Sequence, residues 1–393
     1  PPPPPPPPLF FFMQMRAYEM LRSLVGSEMC IRDSDDGNPF SSGPLLVDQF
    51  LTETIEIDVD LISDGKDVFI AGILEHLEPA GVHSGDSTAV LPPFSITDSM
   101  IKEIEDKSTT LAKALGVKGL LNIQFAIKDD RLFILEANPR ASRTMPFVSK
   151  VTGNQIIKAG TLLMLGHSLD SIKKTTNYLN SSTNKVAIKK AIFPWSRFPA
   201  EDTMLGPEMK ATGEVLGIGR SFGVALNKAY AAAGVEINEN EKGIFVSLSD
   251  QEKPNFIKIV KTYSDLGFKI YSTYGTGEYL KNNDINSTIV GRADETFPTS
   301  LTIIQDKLIS LVINTPTFAN EYTDGWKIRR LSHETGVAVV SSVREAEAFL
   351  KAFLETTKSF EDMEAIQNLS LIHISEPTRL LSIGGGGVGV EKK

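Results

Sequence analysis

Leu120–Arg143, LLNIQFAIKDDRLFILEANPRASR, is the stretch on which the reading of this chain turns. Leu121, Ile123, Phe125 and Ile127 alternate with Asn122, Gln124 and Ala126, the period of a half-buried strand. After the polar break Lys128-Asp129-Asp130-Arg131, the residues Phe133, Leu135 and Ala137 alternate with Ile134, Glu136 and Asn138. Two such runs about a short polar loop predict an antiparallel hairpin. For both apolar sets to share a face, the loop must hold an odd number of residues. A three-residue loop sets Gln124 opposite Glu136 and Asn122 opposite Asn138. Oxygen ligands on one face, followed at once by Arg140 and Arg143, suit magnesium and phosphate. The same pattern also describes the polar solvent face of an ordinary hairpin.

A length of 393 residues predicts two or three domains. The net charge of -9, with no basic cluster, argues against a nucleic-acid partner. No apolar run approaches the roughly 18–20 residues of a membrane span. Pro1–Pro8 followed by LFFFM has neither the basic start nor the apolar length of a signal peptide.

The termini read differently from the rest. Leu24–Ser34, LVGSEMCIRDS, and Leu369–Arg379, LSLIHISEPTR, can be encoded by the two complementary strands of one DNA segment. That DNA resembles a transposase adapter used in sequencing libraries, and unrelated natural peptides do not encode each other's complement. Pro1–Pro8 and Gly384–Gly387 look like translated homopolymers. Residues 1–34 and 368–393 are therefore expected to be non-native tails without function. The only cysteine, Cys30, falls in the first of them, which leaves no thiol for disulfides or catalysis. On this reading the gene continues upstream of Asp35 and the chain is a fragment.

From Leu45, LLVDQFLTETIEIDVDLISDG sets Ile55, Ile57 and Val59 against Glu56, Asp58 and Asp60. This predicts a strand broken at Asp64-Gly65, with KDVFIAGILEH as its hairpin partner. One acidic residue per pleat is ordinarily a solvated face. Glu78–Pro93, EPAGVHSGDSTAVLPP, reads as a mobile or ligand-binding loop. Its His83 and Ser84 sit between Gly81 and Gly85, where backbone NH groups can approach an anion, although a lone loop histidine is more often a bystander. Asp98 is expected to cap a helix carrying Met100, Ile101, Ile104, Leu111 and Leu115, closed by Gly116.

Gly153–Leu169 is expected to be helical, and Asp170–Lys185 to be a polar stretch without a periodic core. Trp195 and the phenylalanines of Val186–Pro199 are expected to pack against the first unit. Leu205–Gly219, LGPEMKATGEVLGIG, lacks G-x-G-x-x-G or Walker spacing and is read as a structural turn system. Ser221–Ala233 is a small alanine-rich helix.

E-x-N-x-R at the end of a hairpin resembles the ATP-grasp superfamily. The strings EHLEPAGVHSGDS, EANPRASRTMPFVSK and LGPEMKATGEVLGIG together resemble the large subunit of carbamoyl phosphate synthetase. The likeness is to its second ATP-grasp unit and the region C-terminal to that unit, over about Asp35–Glu355. It implies that Gln124, Glu136 and Asn138 hold the magnesium (or manganese) ions bridging the ATP phosphates, with Gln124 and Glu136 counted in the nucleotide site. It implies that Arg140 and Arg143 contact phosphoryl oxygens or carbamate. Glu56 matches the residue that reaches the ribose, and Gly81, Val82, His83 and Ser84 match the loop lining the nucleotide. The implied reaction is attack of carbamate on the γ-phosphate of MgATP, giving carbamoyl phosphate and ADP for pyrimidine or arginine synthesis. Such chemistry needs charge neutralisation and alignment more than covalent help. The family's site also uses an upstream nucleotide-fold subdomain and a glycine-rich clamp. Neither is present, so this chain alone is expected to be inactive.

From Gly243 strands alternate with helices, which predicts a parallel α/β sheet with ligands at strand C-terminal ends. Thr273 and Thr276 lie at one such end before a helix, an anion site by geometry, and Asn314 at another. This part resembles the methylglyoxal-synthase-like regulatory domain of the same subunit. The likeness implies effector contacts at Lys253, Thr273, Thr276 and Asn314, although Pro316 replaces a hydroxyl residue. Relatives bind a nucleoside monophosphate or N-acetylglutamate there. Methylglyoxal synthesis itself is not expected, because no carboxylate base stands near Thr273.

The expected fold is thus α/β and α+β multidomain. Residues 35–166 form the C-terminal part of an ATP-grasp unit, 167–238 a connector with a small helical segment, and 239–360 the regulatory domain. The implied partners are a glutaminase subunit or domain in the parent and a small-molecule effector, with no nucleic acid and no membrane. A cytoplasmic location is expected, and a homo-oligomer is compatible with this reading. The alternatives are another ATP-grasp ligase or carboxylase, and an effector-binding module alone.

Overall fold

The computed structural model describes residues 51, 54–179, 184–198, 201–235, 242–292, 298–315 and 323–356. Both expected tails, Cys30 and Pro316 lie outside them. Strand β1 (Ile55–Asp64) pairs antiparallel with β2 (Val68–His76) on one side and with β4 (Lys118–Lys128) on the other, and β5 (Arg131–Asn138) pairs with β4. A short strand inside the expected loop, β3 (Ala89–Leu91), leads to β6 (Val186–Ile192) and β7 (Gly213–Gly219). The sheet order is β5-β4-β1-β2-β3-β6-β7. Strands from the stretch expected as a connector therefore complete it.

The β4–β5 hairpin reaches the expected pairs by another route. Asp129 and Asp130 take φ of 49° and 56°, and Lys128 pairs with Arg131. The turn thus holds two residues rather than the expected three, with both in the left-handed conformation that hairpin twist favours. The register then shifts, because Gln124 faces Glu136 whereas Phe125 faces Ile134, leaving Leu135 as an extra residue. An even turn plus one bulged residue restores the odd offset. The bulge also changes the face assignment. Leu132 and Ala137 pack on the core and Leu135 is 49% exposed, where the alternation expects Phe133, Leu135 and Ala137 inside.

Ile57, Val59, Leu61, Leu121, Ile123 and Phe125 form that core with Met100, Ile104 and Ala112 of helix α1 (Asp98–Ala114). Each such side chain contributes roughly 1.5–3 kcal/mol by leaving water. Thr97 rather than Asp98 caps the helix, its side chain accepting from the Met100 NH, as a residue with extended backbone can. On the other face, Ile62, Leu74 and Leu91 pack under α2 (Thr144–Thr152) and α3 (Ile156–Met164). The helix expected over 153–169 is α3, shorter at both ends, and α2 before it was not expected. Gly153, at φ 73°, ends α2 in the left-handed conformation. The stretch expected to lack a core opens with a further helix, α4 (Leu169–Thr175), whose Leu169 and Ile172 are buried.

Helix α5 (Phe222–Ala232) lies so close on β7 that a Cβ at Gly217 would stand 2.1 Å from the Ala225 carbonyl oxygen. This close packing gives Gly217 a structural role within LGPEMKATGEVLGIG. Beyond it, β8 (Gly243–Ser247), β9 (Lys269–Ser272), β10 (Thr288–Ile289), β11 (Leu311–Asn314) and β12 (Ala338–Val340) form a parallel sheet in the order β10-β9-β8-β11-β12. It alternates with helices α6 (Lys253–Asp265), α7 (Tyr274–Lys281), α8 (Ser300–Gln305), α9 (Asp324–Thr335) and α10 (Val343–Thr356), as expected. Leu77, Val90 and Ile188 of the first sheet share one core with Phe222, Phe256, Phe349 and Phe353. Trp195 stacks on Phe193 at 5.0 Å and lies 6.0 Å from His333 of α9. It therefore packs toward the second module, not against the first unit alone as expected. Among the described residues no helix is long and apolar enough to cross a membrane.

Candidate nucleotide and effector sites

The face of β1, β4 and β5 turned away from the first core carries Glu56, Asp58, Asp60, Asn122, Gln124, Glu136 and Asn138. The acidic residues of β1 are not a solvated face: Glu56, Asp58 and Asp60 are 5%, 1% and 0% exposed. Buried carboxylates are costly unless paired or hydrogen-bonded, and each of these is. Asp58 lies 3.2 Å from His76 Nε2, and Glu56 lies 3.8 Å from His76 Nδ1. Burial pushes the Asp58 carboxyl up, but His76, Lys189 and a hydrogen bond from Gln124 outweigh it and hold the group below its ordinary range. Burial pushes His76 down, and the two carboxylates more than reverse this. Glu56 is pushed up, chiefly by burial, against the opposing effects of His76 and the Gly81 NH. Asp60 accepts from Asn122 (3.0 Å), Ser142 (2.7 Å) and Thr144 (2.6 Å). Burial still prevails and pushes it up to about 6.

Register brings Gln124, Glu136 and Asn138 onto this face, with Asn138 Nδ2 donating to Glu136 at 2.7 Å. Glu136 is near enough for its charge to push Glu56 upward, and Gly81 donates to Glu56, so the expected ribose and loop residues adjoin. Val82 donates to the Pro79 carbonyl, and His83 Nδ1 accepts from the Gly85 NH at 3.0 Å. Lys189 Nζ donates to the carbonyls of Ser84 and Gly85 at 2.9 and 3.1 Å. Arg143 lines a cavity of about 210 Å³ with Gly85, Thr212, Gly213 and Glu214. Arg140 is exposed, and its Nη1 donates to the Ala141 carbonyl at 3.3 Å.

A divalent ion suits the donors at Gln124, Glu136 and Asn138, because Mg²⁺ takes one or two carboxylates and completes its shell with phosphate and water. Among the described residues no group of three His, Cys, Asp or Glu forms a metal site by itself, so phosphate oxygens would have to contribute. Asp58 Oδ1 and His76 Nδ1 are buried without hydrogen-bond partners among the described residues, which leaves polar capacity on the floor of the site.

The second group converges on the end of β8. Thr276 accepts from the Leu248 NH at 3.1 Å and from the Thr273 hydroxyl at 3.2 Å. Asn314 donates to the Ser247 carbonyl at 3.4 Å and accepts from Arg329 at 2.8 Å. Lys253 Nζ pairs with Asp250 at 2.6 Å and stands beside Gly275, at the N-terminus of α7. Thr276 and Asn314 are 1% and 2% exposed, so they are built into the site rather than displayed on it.

Residues 27–172 match the carbamoyl-phosphate synthase L chain, ATP binding domain, and residues 255–341 match the MGS-like domain. The chain matches the C-terminal portion of the carbamoyl phosphate synthase large chain. It is 40% identical over 344 residues to the large chain, C-terminal section, of Aquifex aeolicus, covering 84% of this chain and 64% of that protein. Identity to the large chain of Brucella melitensis is 43% over 317 residues, 79% of this chain and 27% of that one. For Archaeoglobus fulgidus it is 42% over 346 residues, 88% and 31%. The chain thus spans less than two thirds of the length of each of these relatives. Among solved structures, the biotin carboxylase domain of a single-chain bacterial carboxylase gives a TM-score of 0.38 at 13% identity, over 47% of this chain and 48% of that one.

Sequence reasoning gave Asp58 and Asp60 no site role and passed over His76, Lys189, Asp202 and Arg329. One signal for the first pair was present: an acid at every second position of a strand whose partner is apolar. The doublet Lys189-Lys190 inside VAIKKAI was another, since Lys189 is 0% exposed. Asp202 and Arg329 carry no local signal, because what makes them notable is each other.

Proposed function

We propose that this chain contributes one side of a MgATP site, and a small-molecule effector site, to a carbamoyl phosphate synthase that phosphorylates carbamate to carbamoyl phosphate with release of ADP. The observation that carries the reading is the single face on which Gln124 meets Glu136 and Asn122 meets Asn138, bordered by buried Glu56. When bound, Mg²⁺ neutralises charge on the phosphates being rearranged. Glu136 and the amide oxygens of Gln124 and Asn138 hold the ion. Arg143, on the wall of the cavity it shares with Glu214, and Arg140 meet phosphoryl oxygens. Glu56 accepts from the ribose, and Gly81–Ser84 line the nucleotide. Lys253, Thr273, Thr276 and Asn314 hold an anionic effector, and a glutaminase subunit or domain supplies ammonia.

Titration of Mn²⁺ with ATP into the purified chain, followed by loss of the free Mn²⁺ EPR signal, tests this. Glu136→Ala is expected to weaken binding at least tenfold while Lys253→Ala leaves it unchanged. Equal binding by wild type and Glu136→Ala would overturn the assignment. A second reading, an effector-binding module alone, is favoured by the convergence of Thr276 and Asn314 on Ser247-Leu248 within one sheet. Its signature is binding of a nucleoside monophosphate without any binding of Mn²⁺ and ATP.

A further inference from the structure

Helix α9 of the second module reaches Trp195, Phe198 and Asp202 with two consecutive, buried arginines. Arg330 donates to the carbonyls of Trp195 and Phe198 at 2.6 and 2.7 Å. Arg329 forks onto Asp202, with Nε at 3.1 Å and Nη2 at 2.5 Å, and turns its third nitrogen, Nη1, to Asn314 Oδ1 at 2.8 Å. A guanidinium spent in this way cannot satisfy one partner's movement without giving up the other, because its donors lie in one rigid plane. Asn314 is fixed in turn: its oxygen accepts from Arg329 at 2.8 Å and its NH₂ donates to the Ser247 carbonyl at 3.4 Å.

From Asp202 the contacts continue toward the first module. The Asp202 carboxylate accepts from the Met204 NH at 3.1 Å, and the carbonyls of Asp202 and Met204 both accept from Lys210 Nζ, at 3.3 and 3.0 Å. The backbone NH groups of Lys210 and Ala211 then donate to the two oxygens of Asp86, at 2.6 and 3.0 Å. Asp86 closes the loop begun by His83, whose own NH donates to the Gly206 carbonyl at 2.8 Å and whose carbonyl accepts from the Asp86 NH at 2.8 Å. The hydrogen bonds are joined through the covalent chain at Asp202, Lys210 and Asp86, a contiguous element of the kind that can carry coupling between separated sites.

We infer that Arg329 is a coupling residue: through Asp202 and the 202–211 segment it ties the position of Asn314 to that of the His83–Asp86 loop. Any ligand that draws on Asn314 pulls on the same guanidinium, and the loop beside Glu56 receives the change. The coupling stands on contacts alone. Its meaning, as communication from effector to nucleotide, rests on the function proposed above.

Hydrogen–deuterium exchange by mass spectrometry on the full chain tests the coupling without any ligand, so it can fail or succeed independently of that function. In Asp202→Asn, which removes the charged fork, amides in 83–87 and 206–211 are expected to exchange at least tenfold faster, with 269–289 unchanged. Asn314→Ala is expected to move the same two peptides in the same direction by about twofold. If Asp202→Asn does not fold, Arg329→Lys, which keeps the charge and loses the fork, carries the same expectation. Acceleration confined to 201–204, or equal acceleration of 269–289, would overturn the proposal.

Discussion

Thr144 donates its hydroxyl to Asp60 across 2.6 Å, joining two residues 84 positions apart in the chain. The same carboxylate accepts from Ser142 and from Asn122, the partner of Asn138 across the hairpin. One buried side chain of β1 therefore holds both the strand that carries the candidate metal ligands and the bend that carries Arg143.

Asp60 is an acceptor to three donors, and an amide in its place must turn its NH₂ toward at least one of them. Asp60→Asn is expected to cost about 1–3 kcal/mol, the penalty of a buried polar group left without its partner. Urea denaturation measures it, and a stability equal to wild type would mean the carboxylate is not the anchor described.

His333 is held down to about 4 by burial first and then by Lys190, Arg330 and Arg329. An unfolded histidine titrates near 6.5, so between these values the unfolded chain binds the extra proton and the folded chain does not. The stability from neutral His333 is fully present above pH 6.5 and is lost as pH falls toward 4. The loss amounts to on the order of 3 kcal/mol. Stability measured from pH 7.5 to 4.5 should fall less steeply in His333→Gln than in wild type, and parallel curves would refute the assignment.

Gly217 has no room for a side chain, since its Cβ would stand 2.1 Å from the Ala225 oxygen and 2.5 Å from the Ala229 nitrogen. Both obstacles are helix backbone, so Gly217→Ala must push α5 away from β7. A cost of about 1–3 kcal/mol or more is expected from overpacking. Thermal unfolding reads it, and Gly213→Ala, where nothing lies within 4 Å of the added carbon, is the control.

Asp130 occupies the second place of a two-residue turn at φ 56°, where glycine carries no steric penalty. Asp130→Gly is expected to stabilise the chain by about 0.5 kcal/mol, the relief of left-handed strain exceeding the added freedom of the unfolded state. A drop in the denaturation midpoint would show that the aspartate side chain contributes more than its backbone conformation costs.

Much of this was legible in advance. The period-2 runs around Lys128–Arg131 predict the hairpin, and the requirement that both apolar sets meet one core yields the pairs Gln124–Glu136 and Asn122–Asn138. How the chain meets that requirement was not legible. Two aspartates with positive φ and a bulge at Leu135 give the same offset as a three-residue turn, and parity cannot tell the routes apart. The helix Thr144–Thr152 was not read in advance, since it carries Pro146, which a helix tolerates only in its first turn.

What the sequence by itself determined is local: which residues of a strand share a face, where strand–helix alternation begins at Gly243, and which short strings resemble a known family. What only the tertiary structure decided is what covers each face. Glu56, Asp58 and Asp60 alternate as a solvent-facing row would, yet they are buried because His76, Lys189, Asn122, Ser142 and Thr144 arrive from four other segments to satisfy them. Arg329 and Asp202, 127 positions apart, form a fork that no local pattern announces. Periodicity is a property of one segment, whereas burial and charge pairing belong to the meeting of several. That is why the candidate metal ligands could be read from the hairpin, and the network that anchors them could not.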